Sequence, residues 1–338
     1  MIRKINRRIL TLVAIIAAAV ATCHAWEKDY LGGGYEMRYV QQPRDYSGEV
    51  RCTLVRLMSE CAAEHEPVRG VLYIHGFNDY FFQKELGEEF ASHCYDFYAV
   101  DLRKYGRSIE PGQRKFQARS MKEYFADIDS ALASMEHSGI KDIVLMGHST
   151  GGLLAAYYLQ MNPDAPVKAL ILNSPFLDWN LGKMEKFVPL VSALGAIFPN
   201  FRIKQGASTT YSQSLDKGQH GEWEYNHDWK LSQSPDVTAG WVRAISKAQN
   251  ELKKHPYGIK VPVLLMYSSS SYHGDGWSEE AQRSDAVLDV NDIKGIGSKL
   301  SHNVTPVRVN GGLHDLILSS APVRTAVYDY IFRWLANK

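Results

Sequence analysis

The chain predicts an α/β fold: a mostly parallel sheet of eight strands, helices on both faces, and a helical cap inserted late in the sequence. Three observations carry that reading. Continuous apolar runs such as Gly70–His75, Asp96–Asp101 and Val167–Leu172 suit strands buried on both faces, as parallel strands are. Amphipathic segments alternate with them, most clearly Met121–His137, where Met121, Tyr124, Phe125, Ile128, Leu132 and Met135 recur at helical spacing. Finally, an apolar strand, Ile143–Met146, leads through Gly147-His148-Ser149-Thr150-Gly151 into an apolar helix kept small by Gly152, Ala155 and Ala156. A G-x-S-x-G turn between strand and helix is tight enough to lift a serine hydroxyl above the sheet edge.

Taken in order, the first residues stand apart. Arg3, Lys4, Arg7 and Arg8 precede a 13-residue apolar run, Ile9–Ala21, and small residues end at Ala25. This reads as a signal peptide, 1–25, and hence an exported protein, because the run is short for a membrane span. An uncleaved anchor and lipidation at Cys23 are the competing readings. Tyr35–Gln41 and Val50–Met58 form a hairpin around Pro43, Asp45, Ser47 and Gly48. Gly70–His75 is the next strand, Gln83–His93 a helix, and Asp96–Asp101 a strand followed by Lys104–Ser108. The elbow strand and Val167–Leu172 complete a first part of the core, 26–175. The alternation then stops. Residues 176–258 carry Trp179, Trp223, Trp229 and Trp241, and an insertion on the ligand side of such a sheet reads as a cap. Order resumes at Val261–Tyr267 in a second part, 259–338. It holds a helix from Val290 to Leu300, an edge strand Val304–Val309 marked by Pro306, and a closing helix Pro322–Leu335.

Composition bounds the partners. A net charge of +1 gives no electrostatic footprint for nucleic acid. Cys52, Cys61 and Cys94 remain after leader removal; Cys52 and Cys61 are close enough in sequence to bridge, and Cys94 reads as a small buried hydrophobe. No Cys/His cluster suggests a metal, and no cofactor motif occurs.

Serine is a poor nucleophile without a base, and the base needs a group that holds its tautomer. His314, in the glycine-flanked loop Asn310–Asp315 after the last strand, follows the order nucleophile, acid, histidine expected on such a sheet. His148 should point away from Ser149. The oxyanion of a tetrahedral intermediate requires two N–H donors. The Thr150 amide directly after the nucleophile is one, and the Phe77 amide, in His75-Gly76-Phe77-Asn78, is the other.

These pieces carry a resemblance. Ile74–Phe77, Asp101 with Tyr105–Ser108, Gly147–Gly152 and Gly311–Asp315 resemble the serine aminopeptidase S33-like group of α/β-hydrolases, which includes monoacylglycerol lipases and lysophospholipases. They span most of residues 70–338. Gly221–Tyr225 with Ala239–Ala244 resembles the caps of a bacterial branch of that group. The resemblance implies ester hydrolysis through an acyl-enzyme. Lipases of the group hold their acid in a Ser-x-Asp-x-Val-x-Asp run, which Ser284–Asp289 matches approximately; this selects Asp285. Proximity to the strand alone selects Asp275, and Asp289 is a third candidate.

The expected substrate is a small-molecule acyl ester or lipid, and contact with a membrane surface is compatible with it. An exported aminopeptidase would instead use acids such as Glu222 and Glu224 to hold a free amine. A catalytically inactive binding protein is the third class, disfavoured by the presence of both Ser149 and His314.

Overall fold

The computed structural model describes residues 25–61, 68–206 and 208–338. The expected leader, Ala25 apart, lies outside the described residues.

A nine-stranded mixed sheet forms the centre, in the order β1-β2-β3-β5-β4-β6-β7-β10-β11. Its first half comprises β1 (Glu27–Lys28), β2 (Glu36–Asp45), β3 (Gly48–Leu57), β4 (Arg69–Ile74) and β5 (Tyr95–Asp101). β6 (Asp142–His148), β7 (Val167–Asn173), β10 (Val263–Ser268) and β11 (Val304–Val309) complete it. β1, β2, β3 and β5 pair antiparallel, and every other ladder is parallel. The eight expected strands are joined by β1, a two-residue edge pairing Glu27 with Met37, too short and polar to leave a period-two pattern. β8 (Arg202–Ile203) and β9 (Val237–Thr238) make a separate small ribbon.

Strand alternation divides the core in two. Leu72 and Ile74 of β4 face one cluster, with α2 (Phe125–His137), α3 (Thr150–Met161), α6 (Ala239–Lys254) and α7 (Val290–Gly297). Val71 and Tyr73 face the other, with α1 (Lys84–Ser92) and α8 (Ala321–Leu335). The expected helix Met121–His137 begins as a 3₁₀ turn, Met121–Tyr124, capped by Ser120 and Glu123 acting reciprocally. The helix expected to reach Leu300 ends at Gly297, where an added side chain would strike Leu265 of β10.

The cysteine pairing differs from expectation: Cys61 bonds to Cys94, and Cys52 is free and buried. Cys52 sits within β3 opposite Val40, turned into the core, whereas Cys61 lies beyond that strand's end. Cys94, at φ 63° just before β5, is half-buried and reaches Cys61. Closing a loop of this separation, 33 residues, is worth about 3–4 kcal/mol on the chain-entropy account.

The segment between β7 and β10 contains α4 (Val188–Ile197), α5 (Thr210–Leu215) and α6. It reaches across the carboxyl ends of the parallel strands: Tyr211 packs against His314 and Trp241 against Phe77. β5 and β6 flank β4 on opposite sides, which makes the end of β4 the point where chain direction across the sheet reverses, a place where such folds bind ligands.

Candidate active site

Four strand ends converge on Ser149. The serine follows β6 with φ 52° and ψ −117°, a backbone state that a side-chain-bearing residue adopts only under constraint. The constraint is steric and mutual. A Cβ on Gly147 would run into the Gly151 backbone, and one on Gly151 into the carbonyls of Ile74 and His75. Both glycines are therefore required for helix α3 to start where it does. The Ser149 amide is held by the Asn173 carbonyl at 3.0 Å, and its own carbonyl accepts from Phe176.

His314 Nε2 lies 3.0 Å from Ser149 Oγ, and His314 Nδ1 lies 2.9 Å from Asp285 Oδ2. Asp285 is fully buried; its other oxygen accepts from the amides of Val287 and Leu288, each at 2.8 Å. The loop after β10 leaves the sheet, carries the exposed Asp275 at its far side, and returns so that Asp285 pairs with Ser271. Asp289 caps α7 through the Asn291 amide. Of the three carboxylates considered, Asp285 is the one joined to His314.

Phe77 lies on the loop after β4. A Cβ on Gly76 would stand 3.2 Å from the Ser149 Cβ, so this loop abuts the serine. Among the described residues, neither the Phe77 nor the Thr150 amide donates to a protein acceptor. Two such donors beside a serine hydroxyl are what a developing oxyanion needs. His75 is occupied elsewhere: Nδ1 meets the Gly76 carbonyl and Nε2 accepts from the Leu102 amide, which fixes the loop's origin.

Behind Ser149, His314 and Asp285 is a buried polar cluster that sequence reasoning missed. Asp79 pairs with Lys230 at 2.8 Å, and Asp315 accepts from Asn173 at 2.6 Å and Gln83 at 3.4 Å. His148 packs 4.8 Å from the His314 ring, an adjacency that strand alternation does not suggest. Burial, then repulsion from His314, pushes His148 down to about 3, so it is neutral at working pH. Burial, reinforced by Asp79, pushes Asp315 up to about 6. Burial alone would raise Asp79, but the Lys230 ammonium overrides it and holds this carboxyl below its usual value. Asp79, His148 and Asp315 offer ligand atoms within 4.8 Å of one another, but the Lys230 ammonium already supplies the cation there. The only signal in the sequence is an acid, Asp79, inside the apolar stretch Phe77–Phe82; its partner lies 151 residues away.

The neutral His148 has a measurable consequence. The unfolded chain binds a proton there below about pH 6.5, whereas the folded ring takes one only near pH 3. Stability from this group is therefore complete above the unfolded value and falls as the pH drops towards the folded one, by about 1.4 kcal/mol per pH unit. Protonation of Asp315 works the other way, favouring the folded state at the acid end of pH 4–6. His148→Asn is expected to flatten the acid limb of a urea-denaturation series by about one proton. An unchanged slope would mean that His148 is charged in the folded protein.

A family model described as serine aminopeptidase, S33, matches residues 65–272. A phospholipase, YtpA, of Bacillus subtilis is 25% identical over 206 residues, covering 59% of this chain and 74% of its own. The crystal structure of a Paleococcus ferrophilus monoacylglycerol lipase superposes with a TM-score of 0.63 at 19% identity, covering 84% of this chain and 98% of that one. A soluble variant of the Saccharomyces cerevisiae monoglyceride lipase, solved with a substrate analogue, gives 0.63 at 16% identity, covering 88% and 94%. The mixed sheet, the elbow and the matched residues lead to one assignment: this chain belongs to the serine aminopeptidase S33 family and is a hydrolase of the α/β-hydrolase fold.

Proposed function

We propose that the protein cleaves acyl esters by a serine acyl-enzyme route, with monoacylated lipids as the substrate class. The continuous relay Ser149 Oγ, His314 Nε2, His314 Nδ1, Asp285 Oδ2 carries this reading. His314 removes the hydroxyl proton as Oγ attacks the ester carbonyl. The oxyanion is met by the amides of Phe77 and Thr150, each worth about 3 kcal/mol of transition-state stabilisation. Asp285 holds the ring in the productive tautomer and stabilises the imidazolium. As the intermediate collapses, Nε2 returns the proton to the leaving alkoxide. Water, deprotonated by the same nitrogen, then releases the acid.

The substrate class rests on the cap segment. Among the described residues, half of the large, exposed apolar side chains cluster in residues 181–201, including Met184, Leu190, Ile197, Phe198 and Phe201. α4 is apolar around its circumference and buries only Gly195, which abuts the Ala239 backbone. Lys183, Lys186, Arg202 and Lys204 are exposed around it. An apolar helix with a basic border suits the boundary of an anionic bilayer, where monoacyl lipids reside. The similarity to lipases and a phospholipase agrees with this. Glu222 pairs with Arg324 and Glu224 with Lys217, both on the surface, so neither is placed to hold a substrate amine.

A panel of nitrophenyl esters of graded length, beside aminoacyl anilides, tests the reaction class: turnover of esters and not anilides is expected. For the interface, Leu190→Ser with Ile197→Ser should spare a soluble short-chain ester. The same double variant should slow hydrolysis of a monoacyl ester in anionic vesicles by about tenfold or more, from the apolar burial lost. Equal loss on both substrates would remove the surface-docking part.

We also propose export. The basic start and apolar run support it, and so does the Cys61–Cys94 disulfide, which belongs to an oxidising compartment. Among the described residues no helix is long and apolar enough to cross a membrane. N-terminal sequencing from the native cell should find Trp26 first; an intact Met1 would overturn cleavage.

A further inference from the structure

The loop that carries the Phe77 amide takes part of its support from the segment between β7 and β10. Asn78 has φ 50°, and its side chain is clasped by the cap backbone in both directions: its Nδ2 donates to the Leu231 carbonyl, and its Oδ1 accepts from the Leu231 amide, each at 2.8 Å. Next to it, Asp79 Oδ1 takes a hydrogen bond from Lys230 Nζ at 2.8 Å, and its Oδ2 accepts from the Gly76 amide at 3.4 Å. One residue further, the Tyr80 hydroxyl accepts from the Asn226 amide. Both members of the ion pair are buried, Lys230 at 6% exposure and Asp79 at 1%. Thus the three residues after Phe77 are held by a single stretch of cap, 226–231, and Gly76 before it is tied to that stretch only through Asp79.

We propose that Lys230 is a positioning residue that makes the oxyanion hole depend on the seated cap. When the cap segment docks, Lys230 binds Asp79, Asp79 draws in the Gly76 amide, and the Phe77 N–H is aimed at the space beside Ser149. When it lifts to pass substrate or product, the loop loses its partners and the second donor loses its aim. Both acyl-transfer steps, to Ser149 and from it to water, are thereby confined to the state in which the cap is seated. This rests on the reading of Ser149 as the nucleophile.

The test uses the full mature chain. Lys230→Met removes the charge, and Asn78→Gly removes the clasp while tolerating the left-handed backbone. With a short nitrophenyl ester, and active sites counted by fluorophosphonate titration, each variant should lose on the order of 10²-fold in kcat while KM stays within about threefold. Lys230→Arg should recover much of the loss by keeping a cation on Asp79. The rate of phosphonylation, which needs the same donors, should fall in parallel. A kcat per titrated site within about threefold of wild type in both variants would overturn the proposal. So would a loss confined to KM, which would mark a packing role. Should Lys230→Met not fold, Asn78→Gly and Lys230→Arg still decide it. If the wild-type protein is neither labelled nor active, the nucleophile assignment fails instead, and the two failures are distinguishable.

Discussion

Ser149→Ala is expected to abolish both fluorophosphonate labelling and ester turnover, with a loss on the order of 10⁵–10⁶ in kcat. The size follows from the relay: once Oγ is gone, His314 has no group to deprotonate that is already aimed at the carbonyl. His314→Ala should lose nearly as much, and the double variant little more than either, because a nucleophile and its base act as one unit. Residual turnover would come from the donors and from binding alone. Labelled protein in the Ser149→Ala variant would identify another serine as the nucleophile.

The second large effect concerns the acid. Asp285→Asn should leave the fold intact, since the amide oxygen can still accept from Val287 and Leu288. It should nonetheless lower turnover on the order of 10⁴-fold, because an amide facing Nδ1 favours the wrong tautomer and cannot stabilise the imidazolium. Asp275→Asn, on an exposed loop, should be close to wild type. The reverse outcome would mean that the loop after β10 rearranges before catalysis, exchanging one carboxylate for the other. Circular dichroism and thermal melts on both variants separate a chemical loss from an unfolded one.

What could be read in the sequence follows the range of the interactions. The strands were legible because each is an apolar run between turn residues, and the elbow because its chemistry is local to five residues. Ser149 and His314 each sit in a motif that announces itself. Asp285 does not: the chain leaves the sheet at Ser269 and returns only at Ser284, so proximity pointed to Asp275 and only the resemblance pointed further on. The cysteine pairing is not legible for a similar reason: nearness in sequence makes Cys52 and Cys61 possible partners, but Cys52 faces into the sheet while Cys61 has left it. Lys230 was not legible at all. A single lysine in an irregular stretch between β7 and β10 becomes a buried counter-ion only through an acid 151 residues earlier, and no local pattern encodes that.

Pro306, on the last strand of the sheet, has an effect on how molecules of this protein meet one another. A strand at the margin of a sheet invites a neighbour to continue the ladder, the first step of aggregation. Pro306 presents no N–H there, and the Arg308 guanidinium folds back onto the Ser269 carbonyl, leaving a bulky charge along the same rim. At the opposite rim β1 is only two residues long and covers only Glu36 and Met37 of β2. When copies of the folded protein crowd together, the β11 margin is therefore a poor place for one sheet to extend into another.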